Sequence, residues 1–457
     1  MSAQWQNSRS LSERIVVTGA LILETPTHLG NGDVDGPLDM PLLLDPLEGK
    51  ALLTGTSITG ALRSYLQEQY PQDQSFSLVE QLFGKAAETE SVQSPLIVED
   101  ALGDVRDIEL RDGVAIDPKT RTVEDKKKFD IELLVVGTEF LLSFELLVLK
   151  EKEAALREAF VLALQGLEKG EISIGKRKRR GFGRCRVTRW AVCRYDMTNP
   201  QGLIAWLEND QAARLEGESI AALLNISVSD QRQQSECRLS GTFIIDGSLL
   251  IRSGFGEPNA PDFIHLHSKR NGKAVPVLSG TSLAGALRAR AWRIAATLGK
   301  DGKTITDKLF GFRQTASRLW VEETAIQKPL ELVQSRVKID RFTGGSYPGA
   351  LFNEQPVFGQ KDTRVQIQLK LVKPTEADVG LLLLLLKDLW TRDLPVGGES
   401  SVGRGRLKGE VATLTYKDDT WTFTQGEGDV VQVSGNKARL EQFVQAFAER
   451  KDNGTSH

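Results

Sequence analysis

The chain has 457 residues, 40% of them hydrophobic and 26% charged, with a formal net charge of −3 and a pI near 6.0. That length suits about two to four domains with more than one buried core, and the charge excludes a generally basic protein that coats nucleic acid, so any polyanion site has to be local. Cys185, Cys193 and Cys237 form no CxxC pair and no metal-ligand spacing, which points to a reducing cytoplasm and away from a zinc module. Residues 1–7 lack an apolar signal core, and the most hydrophobic run, residues 381–386, is too short to cross a bilayer. That run reads as a buried helix, and no membrane contact is expected.

In chain order, the apolar alternation from Ile15 and Val17 through Leu23 predicts an opening strand. A loop rich in Gly and Asp follows, carrying Asp33, Asp35, Asp39 and, further on, Asp45. It is not an EF-hand, because Gly36 is misplaced and Leu44 stands where the last carboxylate ligand belongs. Carboxylates in such loops ordinarily form turns. Next comes Leu53-Thr54-Gly55-Thr56-Ser57-Ile58-Thr59-Gly60-Ala61-Leu62-Arg63. It reads as a strand end, a Gly-Thr-Ser turn offering N–H groups and hydroxyls, and a helix with Thr or Ser at its cap. Ile58, Leu62 and Leu66 form the buried stripe of that helix. Arg63 therefore faces away from the stripe, where a helix start with a facing Arg can hold a phosphate.

Leu82-Phe83-Gly84 and a strand over residues 96–100 come next, then Val114-Ala115-Ile116-Asp117-Pro118-Lys119-Thr120 and the run Lys126-Lys127-Lys128. A strand over about residues 140–149 leads into an amphipathic helix over about residues 153–168. The unit closes on Lys176, Arg177, Lys178, Arg179 and Arg180, followed by Gly181-Phe182-Gly183-Arg184, Arg186 and Arg189. This is the strongest local electrostatic signal in the chain, and its flanking glycines favour a loop that hugs phosphate over a solvated turn. Arg180-Gly181-Phe182-Gly183 starts like the RNA-binding signature of an RRM, but Arg184 stands where that motif needs an aromatic.

Every landmark then returns in the same order, as repeat detection requires. Leu278-Ser279-Gly280-Thr281-Ser282-Leu283-Ala284-Gly285-Ala286-Leu287-Arg288 copies the Gly-Thr-Ser segment. Asp39 recurs as Asp262, Ile116-Asp117 as Ile339-Asp340, and the glycine loop as Gly403-Arg404-Gly405-Arg406. The offset ranges from 222 residues, Thr18 against Ser240, to 227, Leu82 against Leu309. The chain is a tandem duplication with repeats at residues 12–190 and 237–416, a linker at 191–236 and a tail at 417–457. Leu440, Phe443, Val444 and Phe447 predict a docked helix in the tail. Within each repeat the order of strands and helices is that of a β-α-β-β-α-β unit with a long central insertion, so the expected class is α+β, two tandem ferredoxin-like or RRM-like domains. Open sheets of this kind are widely used to bind RNA.

The Gly-Thr-Ser-x-x-Gly-Ala-Leu-Arg segment, the Asp-bearing loop before it, the Ile-Asp-x-x-Thr segment and the Gly-x-Gly-Arg loop resemble the RAMP superfamily of CRISPR-associated proteins. Their order, met twice, is most similar to the backbone subunit of type III interference complexes in a fused double form. The resemblance implies a cytoplasmic prokaryotic protein whose partners are a guide crRNA, a target RNA, other RAMP effector subunits and the large subunit. It also implies thumb hairpins that distort the guide–target duplex, and a loop aspartate beside each distorted step that cuts the target. On that basis Asp39 and Asp262 are the expected catalytic residues. The expected guide contacts are Gly55, Thr56, Ser57 and Arg63, the run Lys176 to Arg180 with Arg184, then Gly280, Thr281, Ser282, Arg288, Arg341, Arg404 and Arg406.

RNA carries its own nucleophile, the 2′-OH, so cleavage mainly needs that oxygen aligned with the phosphorus and the leaving oxygen. An ordinary aspartate, with a pKa of about 3.9, is a weak base near neutral pH. The expected role is therefore to orient the nucleophile or to hold a divalent cation such as Mg²⁺. Two alternatives stay open: a non-catalytic RNA-binding subunit, and a guide-processing RNase working through His28, His265 or His267. The thumbs are expected around residues 114–128 and 336–355, where Phe342 and Tyr347 supply aromatics able to wedge against a base.

Overall fold

The computed structural model describes residues 11–30, 32, 39–70, 72–85, 92–116, 123–228, 236–253, 260–270, 272–312 and 315–450. Asp33, Asp35 and residues 117–122 of the first hairpin tip lie outside them, as do the side chains of Lys126 and Lys127.

Each repeat builds an antiparallel sheet around its own first strand. Leu11–Leu23 pairs with Glu139–Leu149 on one side and Cys185–Asp196 on the other. In repeat two, Glu236–Asp246 sits in the same way between Val365–Val372 and Arg406–Tyr416. The strand that follows the paired helices completes the order, Leu96–Val98 beside Glu139–Leu149 and Leu319–Val321 beside Val365–Val372. The first sheet also takes in Leu215–Gly217, and the second is extended by Asp419–Gln425 and Val431–Ser434. Here the α+β expectation meets two ferredoxin-like sheets.

A glycine in each central strand has a packing reason. A Cβ at Gly19 would lie 2.6 Å from the Trp190 ring, and one at Gly241 would lie 2.9 Å from the Phe243 ring. Each glycine adjoins a shift of strand register, at Gly19/Leu21 and at Thr242/Phe243, so the bend and the missing side chain together admit a buried aromatic.

Helices cover one face of each sheet. In repeat one these are Gly55–Gln69, Gln72–Phe83 and Glu153–Glu168, the last matching the residues expected of it. Repeat two has Gly280–Thr297, Gly302–Phe310 and Glu376–Trp390. Helix Glu376–Trp390 starts on a capping box, Thr375 with Asp378. It is apolar nearly all round because the C-terminal helix Lys437–Glu449 packs against it, so closely that a Cβ at Gly380 would lie 2.0 Å from the Phe443 carbonyl. This accounts for the run at residues 381–386. No helix among the described residues is long and apolar enough to cross a membrane.

A hairpin projects from each repeat where a thumb was expected, Ile108–Ile116 with Val123–Leu134 and Gln334–Ile339 with Ser346–Gln355. In each repeat the segment holding the loop aspartate runs parallel to the returning hairpin strand, Met40 against Ile131 and Phe263 against Glu354.

Candidate nucleic-acid interface

The Gly-Thr-Ser segments are the first turns of their helices, not turns that precede them. The caps are one residue earlier, Thr54 and Ser279, whose side chains accept the N–H groups of Ser57 and Ser282. Both glycines are buried, and the Gly55 N–H group is already taken. Gly55 donates to Asp100 Oδ1 at 2.7 Å. Gly280 lies under the Arg180 carbonyl, which a Cβ would approach to 2.3 Å. Thr56 and Ser57 are exposed, with Thr54 Oγ1 donating to Ser57 Oγ at 2.9 Å. Thr281 and Ser282 are half-buried, and Thr281 shares a 3.1 Å hydroxyl contact with Ser279. Arg63 points to solvent as its place beside the apolar stripe requires. Its counterpart Arg288 is tied to Asp307 and donates to the Gly311 carbonyl at 3.0 Å.

The basic run is the largest departure from expectation. Lys176 is exposed, but the other four residues do not project into solvent and pack at the junction between the repeats. Arg177 and Gly181 both take left-handed backbone, φ 57° and 89°, on either side of a single 3-10 turn, Lys178–Arg180. This tight knot carries Arg179 and Arg180 to repeat two, while Arg177 lies over the Phe129 ring of the first hairpin. Arg179 donates to the Ser317 carbonyl and pairs with Glu68 at 2.5 Å. Arg180 donates to the Phe310 carbonyl at 2.8 Å, and Arg184 pairs with Glu322 at 2.6 Å. Beside them Arg111 is buried between Glu109 and Glu323.

Cation is nonetheless left over. Burial pushes Arg177 and Lys178 below their usual values. Arg180 is pulled down to about 10, first by burial and then by the nearby charges of Arg288 and Arg177. Its Nη1 atom is buried without a hydrogen-bond partner. A group of cations that depress one another is missing an anion.

In repeat two the loop Glu399–Arg406 repeats the backbone, Glu399 at φ 57° and Gly403 at φ 90°, with different chemistry. Arg404 is the counterpart of Phe182, and both are buried. Phe182 clusters with Ile131, Leu133 and Met40. Arg404 instead pairs with Glu354 at 2.7 Å and Glu399 at 2.8 Å. The expected RNA contact Arg404 is thus committed to internal ion pairs, while Arg406 and, on the second hairpin, Arg341 are exposed.

Asp39 and Asp262 are exposed and held alike. Asp39 Oδ2 accepts the backbone N–H of Asp130 at 2.9 Å, and Asp262 Oδ2 accepts that of Asn353 at 2.7 Å, in each case 91 residues further along. Each carboxylate is pinned by one oxygen to the foot of its hairpin. Asp45 is a turn former, accepting the N–H groups of Leu47 and Glu48.

The surroundings of the two aspartates differ, a feature no motif announced. Asp112 and Asp130 face each other in the first hairpin, Ser335 and Asn353 in the second. Asp130 is pushed above the usual carboxylate range by burial and by Asp112, against the pull of Lys128. His28 and His265 are buried and donate to the Glu132 and Val277 carbonyls, and His267 bridges the His265 carbonyl and Glu331. Among the described residues no group of three or more His, Cys, Asp or Glu side chains is placed to hold a metal ion.

The family model for the RAMP superfamily matches residues 21–186 and 248–408, one span in each repeat. The chain belongs to the RAMP superfamily. It is a fused double RAMP protein, and membership makes it a CRISPR-associated RNA-binding protein. No curated protein sequence matches it. The matched spans end just past the two glycine loops, so the family signal covers the hairpins and loops described above.

Proposed function

We propose that this RAMP protein is a backbone subunit of a type III CRISPR effector complex. In this reading it grips the guide crRNA backbone and cuts the complementary target RNA beside its two hairpins. The observation that carries the reading is the shared setting of Asp39 and Asp262, exposed, at the foot of a hairpin, each fixed by one backbone N–H group. That tether leaves the other carboxylate oxygen free to receive the 2′-OH of a nucleotide unstacked by the hairpin and to turn it toward its phosphorus. Where a divalent cation such as Mg²⁺ takes part, Asp39 or Asp262 would hold it together with substrate phosphate, since one or two carboxylates plus phosphates are the usual Mg²⁺ site. Its contribution would be to stabilise charge on the reacting phosphate.

Guide phosphates fit the cations left unmatched at the junction, Arg177, Lys178 and Arg180, and the exposed Thr56, Ser57 and Arg63 at the first helix start. Gly55, Gly280 and Arg404 act from beneath, shaping the backbone that carries these groups. The histidine-based RNase draws no support from a pair of buried rings bonded to carbonyls.

The test is cleavage of a labelled target by the assembled complex loaded with guide. Asp39→Ala and Asp262→Ala should each remove one cut and leave target binding unchanged. A double variant that still cuts at both positions sinks the proposal.

A further inference from the structure

A closed circuit of side chains links the glycine loop of repeat two to the segment that carries Asp262. Arg404 enters it from the loop. It is 3% exposed, and its fork donates from Nε to Glu399 at 2.8 Å, from Nη1 to Ser248 Oγ at 3.2 Å, and from Nη2 to Glu354 at 2.7 Å and Gln334 at 3.1 Å. Glu354 is fully buried and has Arg336 as a second partner at 3.0 Å. It follows Asn353, whose N–H group holds Asp262 Oδ2 at 2.7 Å, and it pairs in parallel register with Phe263, the residue after Asp262. Arg404 thus reaches the tether of Asp262 from the hairpin side.

A second arm reaches it from the other side. Glu399 accepts from Arg252 at 2.8 Å as well as from Arg404, and the Arg252 guanidinium lies 4.1 Å from the centre of the Phe263 ring. That ring meets Phe352, the residue before Asn353, edge to face at 6.1 Å. Both arms start at Glu399, the left-handed residue that opens the single 3-10 turn of the loop. A displacement of the loop is therefore passed to both flanks of the tether, because charged hydrogen bonds and packed rings transmit position with little slack. In repeat one the loop meets its hairpin by packing instead, Phe182 against Ile131 and Met40, and Arg177 over the Phe129 ring at 4.1 Å.

We propose that Glu399, Arg404 and Arg252 are positioning residues for the cut at Asp262, setting its carboxylate according to how the glycine loop is seated. They act through Glu354 and Phe263, not on the target. The inference rests on the reading of Asp262 as a cutting residue. Its effect belongs on the rate of cutting and not on binding, since a carboxylate displaced by about an ångström still faces the target but no longer aligns the 2′-OH.

The assembled complex loaded with guide tests this, because the cut at Asp39 serves as a control in the same chain. Glu399→Gln leaves the loop one acceptor oxygen where it now has two. Arg252→Met, at a side chain 48% exposed, keeps an apolar stem over Phe263 and removes the ion pair. Under single-turnover conditions with saturating target, each variant should slow the Asp262 product by about tenfold or more. The Asp39 product, target affinity and the salt slope of binding should stay unchanged. An unchanged rate at Asp262 overturns the proposal, and so does equal slowing of both products, which marks a general loss of loading or fold. Weaker target binding with a shallower salt slope makes Arg252 a phosphate contact instead and overturns it as well. Asp262→Ala, run alongside, separates the two ideas. If it removes no product, the reading of Asp262 fails and the inference with it, whereas a lost product beside indifferent Glu399→Gln and Arg252→Met defeats the inference alone.

Discussion

Removal of the Arg111 guanidinium tests whether the junction is held by desolvated charge. Arg111 leaves the first hairpin with its side chain 4% exposed, between Glu109 at 7% and Glu323 at 0%. Burial opposes its charge, but Glu323 and Glu109 outweigh it and the guanidinium is held above its ordinary range. Arg111→Ala leaves two buried carboxylates with Arg270, 3.5 Å from Glu323, as a nearby cation. Breaking a buried ion pair from one side costs about 3–5 kcal/mol. With a urea m-value of about 3 kcal/mol/M for a large unit, that loss lowers the unfolding midpoint by roughly 1 to 1.7 M. Urea is the right denaturant because it leaves charges unscreened. Tryptophan fluorescence is the right signal, since Trp320 sits at the junction. A shift under about 0.3 M, the worth of an exposed pair, would refute the reasoning.

Three further outcomes follow from the same structure. His265 is held down to about 4 by burial. Its neutral form therefore contributes stability that is full above the unfolded value of about 6.5 and is lost as pH falls toward 4, roughly 3 kcal/mol in all. Stability against pH should show this slope in the wild type and flatten in His265→Gln, measured by urea titration at each pH. In RNA binding, Arg63→Ala and Arg177→Ala should each weaken guide affinity without regard to sequence and reduce the salt slope by about 1, read from binding at several salt concentrations. Arg404→Ala should leave that slope alone and cost about 3 kcal/mol of stability, because it removes one of the two cations paired with buried Glu354 and leaves Arg336, 3.0 Å away, as the other. Pairing Arg404→Phe with Glu354→Ile should recover most of that loss in a double-mutant cycle, since repeat one fills the same two places with Phe182 and Ile131.

The architecture was legible in the sequence wherever a pattern reports on its own neighbours. The stripe Ile58, Leu62, Leu66 marks a helix because all three must be buried on one face, and they are. Residues 381–386 mark a helix covered on both sides for the same reason. The basic run was misleading in its surroundings, not its charge. Consecutive cations between glycines suit a phosphate, yet the carbonyls of Phe310 and Ser317 and the carboxylate of Glu322, more than a hundred residues away, take up much of their capacity. Arg404 failed for a related reason. In Gly-Arg-Gly-Arg the two arginines look equivalent, but the backbone turns one inward to the place of Phe182 and the other outward.

Duplication explains why the two candidate sites share a geometry, and divergence explains why they are not interchangeable. Backbone constraints preserved the aspartate, its tether to the hairpin and the parallel contact beside it. The residues behind the tether differ. In repeat one they are Asp112 and Asp130, each with its Oδ1 oxygen buried without a hydrogen-bond partner. In repeat two Ser335 Oγ donates to Asn353 Oδ1 at 2.8 Å and the pair is neutral. A target phosphate brought to Asp39 therefore meets three carboxylates, of which Asp112 is paired with Lys128 at 3.1 Å, and one brought to Asp262 meets a neutral Ser335–Asn353 pair behind its carboxylate. Cation screening has more to offset at the first site than at the second, so the proposed cuts should part company as divalent cation is withdrawn, the one at Asp39 fading first.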